Sequence, residues 1–226
     1  MAGKPEVVLF DVGNTLLFPN WQRILTPLAE RGVTPSDEQL RETESATKLA
    51  FDQLANGSGV DRDFWRMFYQ RLLSALGVDD DQLVTKLTAS TRTSSNWDRV
   101  LPGTREALDR IANKFRIGVI SNADGKIDKV LTMCGLGDCF LSITDSGTAG
   151  YEKPHPEIFA AALRTMKVSA AHALYVGDVY SVDYVGATNV GMQAVLFDVP
   201  GAYRDTSWPR VASLKELEQR LAMGDR

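Results

Sequence analysis

Four short runs of apolar, partly β-branched residues punctuate this chain, and each stops abruptly at a small or acidic residue. Positions 7–10 end in Asp11, 117–120 in Ser121, 173–176 in Gly177-Asp178 and 194–197 in Asp198. Runs without a polar position predict strands covered on both faces, as in a parallel sheet. A further strand is expected around 141–144. Between these runs the apolar spacing changes to three and four, as in Ala107, Leu108 and Ile111, then Ile127, Val130 and Leu131, which predicts amphipathic helices. Strand and helix alternate, so the expected fold class is a doubly wound, Rossmann-like α/β parallel sheet with right-handed crossovers.

The stretch 20–96 breaks that rhythm: it carries no convincing strand and reads as successive helices, an inserted all-helical domain. The expected division is a core of 1–17 and 98–226 with an insertion of 18–97. Thr34-Pro35-Ser36-Asp37 predicts a helix with Thr34 as N-cap, proline at the first helical position and an acid at the third, running to about Asn56. Gly57-Ser58-Gly59 is expected to turn into a second helix. There Phe64, Trp65, Phe68, Leu72 and Leu76 form one apolar stripe closed by Gly77, read as packing between helices.

Bulk properties narrow the function. The chain has 226 residues, 44% hydrophobic and 24% charged, with a formal charge of -4, which is ordinary globular usage. It lacks the basic footprint that nucleic acid demands. The start of the chain leads straight into a four-residue apolar run, too short for a signal segment, and no run approaches the ~20 residues that span a bilayer. No membrane association and a cytoplasmic location are therefore expected. Cys134 and Cys139 flank Gly135-Leu136-Gly137 without a second pair at zinc spacing, so buried or half-buried free thiols are expected. No Gly-x-x-x-x-Gly-Lys-Ser/Thr occurs, and Gly135-Leu136-Gly137 lacks the third glycine of a dinucleotide fingerprint.

In open α/β sheets ligands bind beyond the carboxyl ends of the strands, which singles out Asp11, Ser121, Asp178 and, in the loop after the third strand, Lys153. Read singly, each has a structural alternative. Ser121 and Asn122 could cap the next helix, Asp183 could cap its own, and Lys153 could be a solvated loop lysine. Read together, Asp11-Val12-Gly13-Asn14-Thr15-Leu16, Ser121-Asn122, Lys153-Pro154-His155-Pro156 and Gly177-Asp178-Val179-Tyr180-Ser181-Val182-Asp183 resemble the four ordered motifs of haloacid dehalogenase-like hydrolases across nearly the whole chain. The helical insertion resembles that superfamily's cap of the first type, and Leu101-Pro102-Gly103 its return into the core.

The resemblance implies a hydrolase, phosphatase-like, in which Asp11 accepts a phosphoryl group as an aspartyl phosphate, splitting one displacement into two steps. A carboxylate and a phosphate dianion repel, so a cation must stand between them. The implied cofactor is Mg2+, held by Asp11, the Gly13 carbonyl and Asp178, with Asp183 supporting the shell. Ser121 and Asn122 are implied in phosphate binding, and Lys153 in neutralising the phosphoryl group and Asp11. The implied partner is a small phosphorylated metabolite. The oligomeric state is not legible. His155 and His172 form no triad with Ser121 and read as loop histidines.

One position departs from the family's phosphatases, which carry a second aspartate two residues after the nucleophile to protonate the leaving group. Here it is Gly13, which forgoes a contribution of ~10² to 10⁴ in rate. Three readings follow: a hydrolase of activated esters or one with a substitute acid; phosphonate or dehalogenase chemistry on the same scaffold; or a catalytically weak binding paralogue. Phosphonate hydrolases of the family use a cap lysine as a Schiff base. Lys48 is the nearest candidate, but its surroundings read as a solvated helix face. Dehalogenases of the family keep an aromatic residue where Gly13 stands and need no metal.

Overall fold

The computed structural model describes residues 4–55 and 63–223. In chain order β1 (Val7–Phe10) is followed by α1 (Trp21–Ile24), α2 (Thr26–Ala29), α3 (Asp37–Ala55), α4 (Phe64–Ala75) and α5 (Asp81–Thr91). Then come α6 (Thr104–Ala112), β2 (Arg116–Ser121), α7 (Ile127–Met133), β3 (Ser142–Asp145), α8 (Ser146–Ala149) and α9 (Pro156–Met166). The chain closes with β4 (Ala173–Gly177), α10 (Val185–Asn189), β5 (Gln193–Phe197), β6 (Arg210–Val211) and α11 (Leu214–Met223).

All four residues of β1 are buried, and successive side chains face opposite layers. Val8 and Phe10 pack with α6, α7 and α11 on one face, Val7 and Leu9 with α9 and α10 on the other. The six strands run parallel in the order β3-β2-β1-β4-β5-β6. Phe10 is level with Val119 of β2 and Val176 of β4, so Asp11, Ser121 and Asp178 emerge at one edge of the sheet. The chain visits one side of β1 through β2 and β3, then crosses to β4 on the other. That reversal opens a crevice beside β1. The expected strands are present, the third one residue later than expected. β6 was not expected, since two residues cannot form a legible apolar run.

The insertion is helical as expected and has its own core, in which Ile24, Leu28, Phe68, Tyr69, Leu72, Leu83 and Leu87 are all buried. Its first long helix starts later than Thr34 predicts. Ser36 is the true cap: its Oγ accepts from the Gln39 N–H at 3.1 Å, while Gln39 Oε1 accepts from the Ser36 N–H at 2.8 Å. This pair satisfies two terminal donors reciprocally and so fixes the start of the helix two residues further on. Gly57-Ser58-Gly59 lies outside the described residues. Gly77 closes α4 as expected, with φ +70°. Insertion and sheet are joined where Phe18 and Arg99 exchange backbone hydrogen bonds of 2.8 and 3.3 Å. Among the described residues no helix is long and apolar enough to cross a membrane.

Candidate active site

Asp11 leaves β1 with its N–H still bonded to the Val176 carbonyl at 2.8 Å, so its carboxylate starts from the rigid edge of the sheet. Lys153 meets it there. Its Nζ lies 2.7 Å from Asp11 Oδ1 and 2.8 Å from Asp183 Oδ1, and donates to Tyr175 Oη at 2.8 Å, three oxygens for the three donors of an ammonium. Far from being a solvated loop lysine, Lys153 is buried. Its backbone is fixed by Asn122, whose Oδ1 accepts from the Lys153 N–H at 2.7 Å and whose Nδ2 donates to the Lys153 carbonyl at 3.0 Å. The side chain implied in phosphate binding therefore also positions the lysine. The Lys153–Pro154 peptide bond is cis.

Ser121, the last residue of β2, is buried at the same edge. The helix after it is capped by neither Ser121 nor Asn122. Asp145 at the end of β3 accepts from the N–H groups of Gly125 and Ile127, both at 3.1 Å, and Ser146 Oγ accepts from Ala123 N at 3.0 Å. The loop carrying Ser121 and Asn122 is therefore pinned by the neighbouring strand.

Asp183 holds the other side. Its Oδ2 accepts from the N–H groups of Asp178 and Val179 at 3.0 and 2.9 Å, while Oδ1 faces Lys153 and Tyr175. This carboxylate reaches back over β4 and shapes the loop bearing Asp178. The close approach explains Gly177: a Cβ there would lie 2.5 Å from Asp183 Cγ.

Lys48 corrects the sequence reading. It is fully buried, not solvated, with Nζ 2.9 Å from Asp178 Oδ2 and 2.9 Å from Glu44 Oε1. One turn further along α3, Asp52 accepts from Ser181 N at 2.9 Å and from Tyr203 Oη at 2.7 Å. Glu44, Lys48 and Asp52 recur every four residues, so one face of the cap helix that should be apolar is polar and lies against the core. That spacing was visible in the sequence. Tyr175 was also missed; its signal was a hydroxyl inside an otherwise wholly apolar strand.

Gly13 is overlain by Trp97, whose ring would stand 3.3 Å from a Cβ at that position. The indole is tethered by its Nε1 to the Thr91 carbonyl at 2.6 Å and packs edge-on against Trp65.

The electrostatics follow from burial. Burial pushes the Asp11 carboxyl above its ordinary range, against the pull of Lys153 and with the push of Asp183 and Asp178. Asp178 is raised likewise by burial, opposed by Lys48. Burial would discharge Lys48 and Lys153, but the carboxylates beside each more than offset it and hold both protonated. Carboxylate oxygens of Asp11, Asp178 and Asp183 lie within 4.8 Å of one another. Around them, four carboxylates (Asp11, Asp178, Asp183, Glu44) face two ammonium groups (Lys48, Lys153), a formal excess of two negative charges when all are ionised. A divalent ion with hard oxygen preferences fits that donor set and that charge.

The chain matches the haloacid dehalogenase-like hydrolase family over residues 5–191. It is 32% identical over 204 residues, covering 84% of this chain and 83% of the relative, to haloacid dehalogenase-like hydrolase domain-containing protein 3 of Xenopus laevis. It is 37% identical over 196 residues, covering 84% of each chain, to glyceraldehyde 3-phosphate phosphatase of Methanothermobacter thermautotrophicus. Among solved structures, the HAD phosphatase of Thermococcus onnurineus superposes with a TM-score of 0.60 at 23% identity, covering 96% of this chain and 97% of that one. With motifs, fold and relatives in agreement, this chain belongs to the haloacid dehalogenase-like hydrolase family.

Proposed function

We propose that this hydrolase is a magnesium-dependent phosphatase acting on a small phosphorylated metabolite through an aspartyl phosphate on Asp11. The observation that carries the reading is the convergence of the buried Asp11, Asp178 and Asp183 within 4.8 Å, in a cluster with a formal excess of two negative charges. Asp11 and Asp178, with the Gly13 carbonyl, would hold Mg2+, and Asp183 would brace the loop presenting Asp178. When bound, the ion supplies the positive charge that lets an anionic nucleophile approach an anionic phosphoryl group. The phosphatase relative adds support for a small phosphorylated substrate.

In the first step an Asp11 carboxylate oxygen bonds to phosphorus as the bond to the leaving oxygen breaks. Ser121 would hold a phosphoryl oxygen, while Lys153, on a backbone fixed by Asn122, places its positive charge beside Asp11 to offset the charge of the phosphoryl group. In the second, water attacks the aspartyl phosphate and restores the Asp11 carboxylate. Gly13 offers no side-chain acid, and Trp97 covers its Cα. The favoured substrates are therefore those whose leaving group departs without a proton, namely acyl and aryl phosphates. Schiff-base phosphonate chemistry at Lys48 is disfavoured, because a nucleophilic amine must be neutral and Asp178 and Glu44 keep this one charged.

The test is turnover of acetyl phosphate or p-nitrophenyl phosphate with and without Mg2+. The expected result is hydrolysis that requires the ion and disappears in Asp11→Asn. No turnover of any activated ester would favour the catalytically weak binding paralogue.

A further inference from the structure

Asp178 is asked to serve two cations. As a candidate ligand at the strand end it faces the same pocket as Asp11 and Asp183, yet one of its oxygens lies 2.9 Å from the ammonium of Lys48, which descends from the cap. Lys48 is not a long side chain that happens to reach the site. It is wholly buried, flanked from its own helix by Glu44 at 2.9 Å, and anchored one turn further on by Asp52, which the Ser181 N–H and the Tyr203 hydroxyl clamp to the core. Tyr203 is in turn fixed by Asp198, whose two oxygens accept from Ala202 N and Tyr203 N at 2.8 and 2.9 Å. The core thus builds a seat for α3 that delivers a fixed positive charge to a carboxylate needed by a divalent ion. Two like charges sharing one buried carboxylate repel, and low local polarity strengthens that repulsion.

On the strength of the metal reading above, we propose that Lys48 is a cap-borne antagonist of the divalent ion at Asp178, so that docking α3 weakens ion binding and ion binding weakens the hold of α3. The second half follows from the first, because coupling between two binding events is reciprocal. A cation delivered by the cap keeps the ion exchangeable where Asp11, Asp178 and the Gly13 carbonyl alone would hold it tightly. It also orders events: the ion enters most readily while Lys48 is withdrawn.

The experiment is calorimetric titration of the full chain with Mg2+, comparing wild type, Lys48→Met, Lys48→Arg and the doubly neutral Glu44→Gln/Lys48→Met, with folding checked by circular dichroism. Removing the charge is expected to lower the Kd for Mg2+ by at least about tenfold. Lys48→Arg, which keeps the charge, is expected to stay at the wild-type Kd. The double variant guards against a fold lost through an unpaired Glu44 and is expected to bind more tightly than wild type as well. Binding by the neutral variants but not by wild type would support the antagonism in its strongest form. Equal or weaker binding by the folded neutral variants, with measurable binding by wild type, would overturn the antagonism and leave the metal reading standing. Absence of binding in every variant would overturn both.

Discussion

The indole of Trp97 lies against the α-carbon of Gly13, its nearest ring atom 3.3 Å from the place a Cβ would take. Position 13 and position 97 therefore share one volume. The missing second aspartate is not a bare deletion of an acid, because the space beside the backbone is filled by a residue of the loop that leads from the helical insertion back to the core. Its Nε1 bond to Thr91 and its contact with Trp65 resist displacement.

Gly13→Asp alone is thus expected to cost about 1–3 kcal/mol by overpacking and to leave the rate on alkyl phosphates no higher than wild type. Combined with Trp97→Leu, which vacates the ring's volume, it is expected to raise that rate above either single variant. Steady-state kinetics with denaturant melts decide the matter. A single Gly13→Asp variant that is faster and equally stable would show that the ring yields freely.

Gly177→Ala should be among the most damaging single-methyl changes in the chain. The added carbon would stand 2.5 Å from Asp183 Cγ, in a carboxylate that also holds Lys153 and two backbone amides. A loss of about 3 kcal/mol or more, together with most of the activity, is expected. Wild-type melting would mean that Asp183 can move without consequence.

Asn122→Ala removes both hydrogen bonds to the Lys153 backbone, at a cost of about 2 kcal/mol for the pair. Because these bonds position Lys153, kcat should fall with KM little changed. A rise in KM with kcat preserved would instead make Asn122 a substrate contact. Tyr175→Phe, which removes one of the three oxygens around Lys153 Nζ, should act in the same direction and more weakly.

Asp52 carries a pH signature. Burial raises its carboxyl above the ordinary 3.8 despite the bonds from Ser181 and Tyr203, so the folded chain favours its protonated form. The stability from this group is fully present below the unfolded value and is lost as pH rises through the higher folded value. Asp52→Asn abolishes that titration. The stability of wild type relative to Asp52→Asn should therefore decline as pH rises across the carboxylate range, as read by urea melts at a series of pH values. A difference that stays constant would contradict the assignment.

The sheet and its candidate site were legible because uninterrupted apolar runs have one physical solution, burial on both faces, and because the runs of β1, β2 and β4 stop at polar residues beside the crevice. Asp11, Ser121 and Asp178 emerged from that logic, and Lys153 from its place in the loop after the third strand. What escaped was whatever depends on the third dimension. Lys48 looked like a solvated helix residue because helix periodicity reports which residues share a face but not what that face meets. The hold of Asn122 on the Lys153 backbone was hidden because the two lie 31 residues apart in sequence. The filling of the space above Gly13 by Trp97 is a tertiary contact across the helical insertion, and no local pattern announces it.

The central claim is that Asp11 bonds covalently to phosphorus, and trapping that bond tests it most directly. The protein would be mixed with acetyl phosphate and Mg2+, quenched in acid, reduced with borohydride and digested, and the modified residue located by mass spectrometry. The account predicts reduction products confined to Asp11 and absent when Mg2+ is withheld. Modification at another residue, or turnover that persists undiminished in Asp11→Asn, would contradict it.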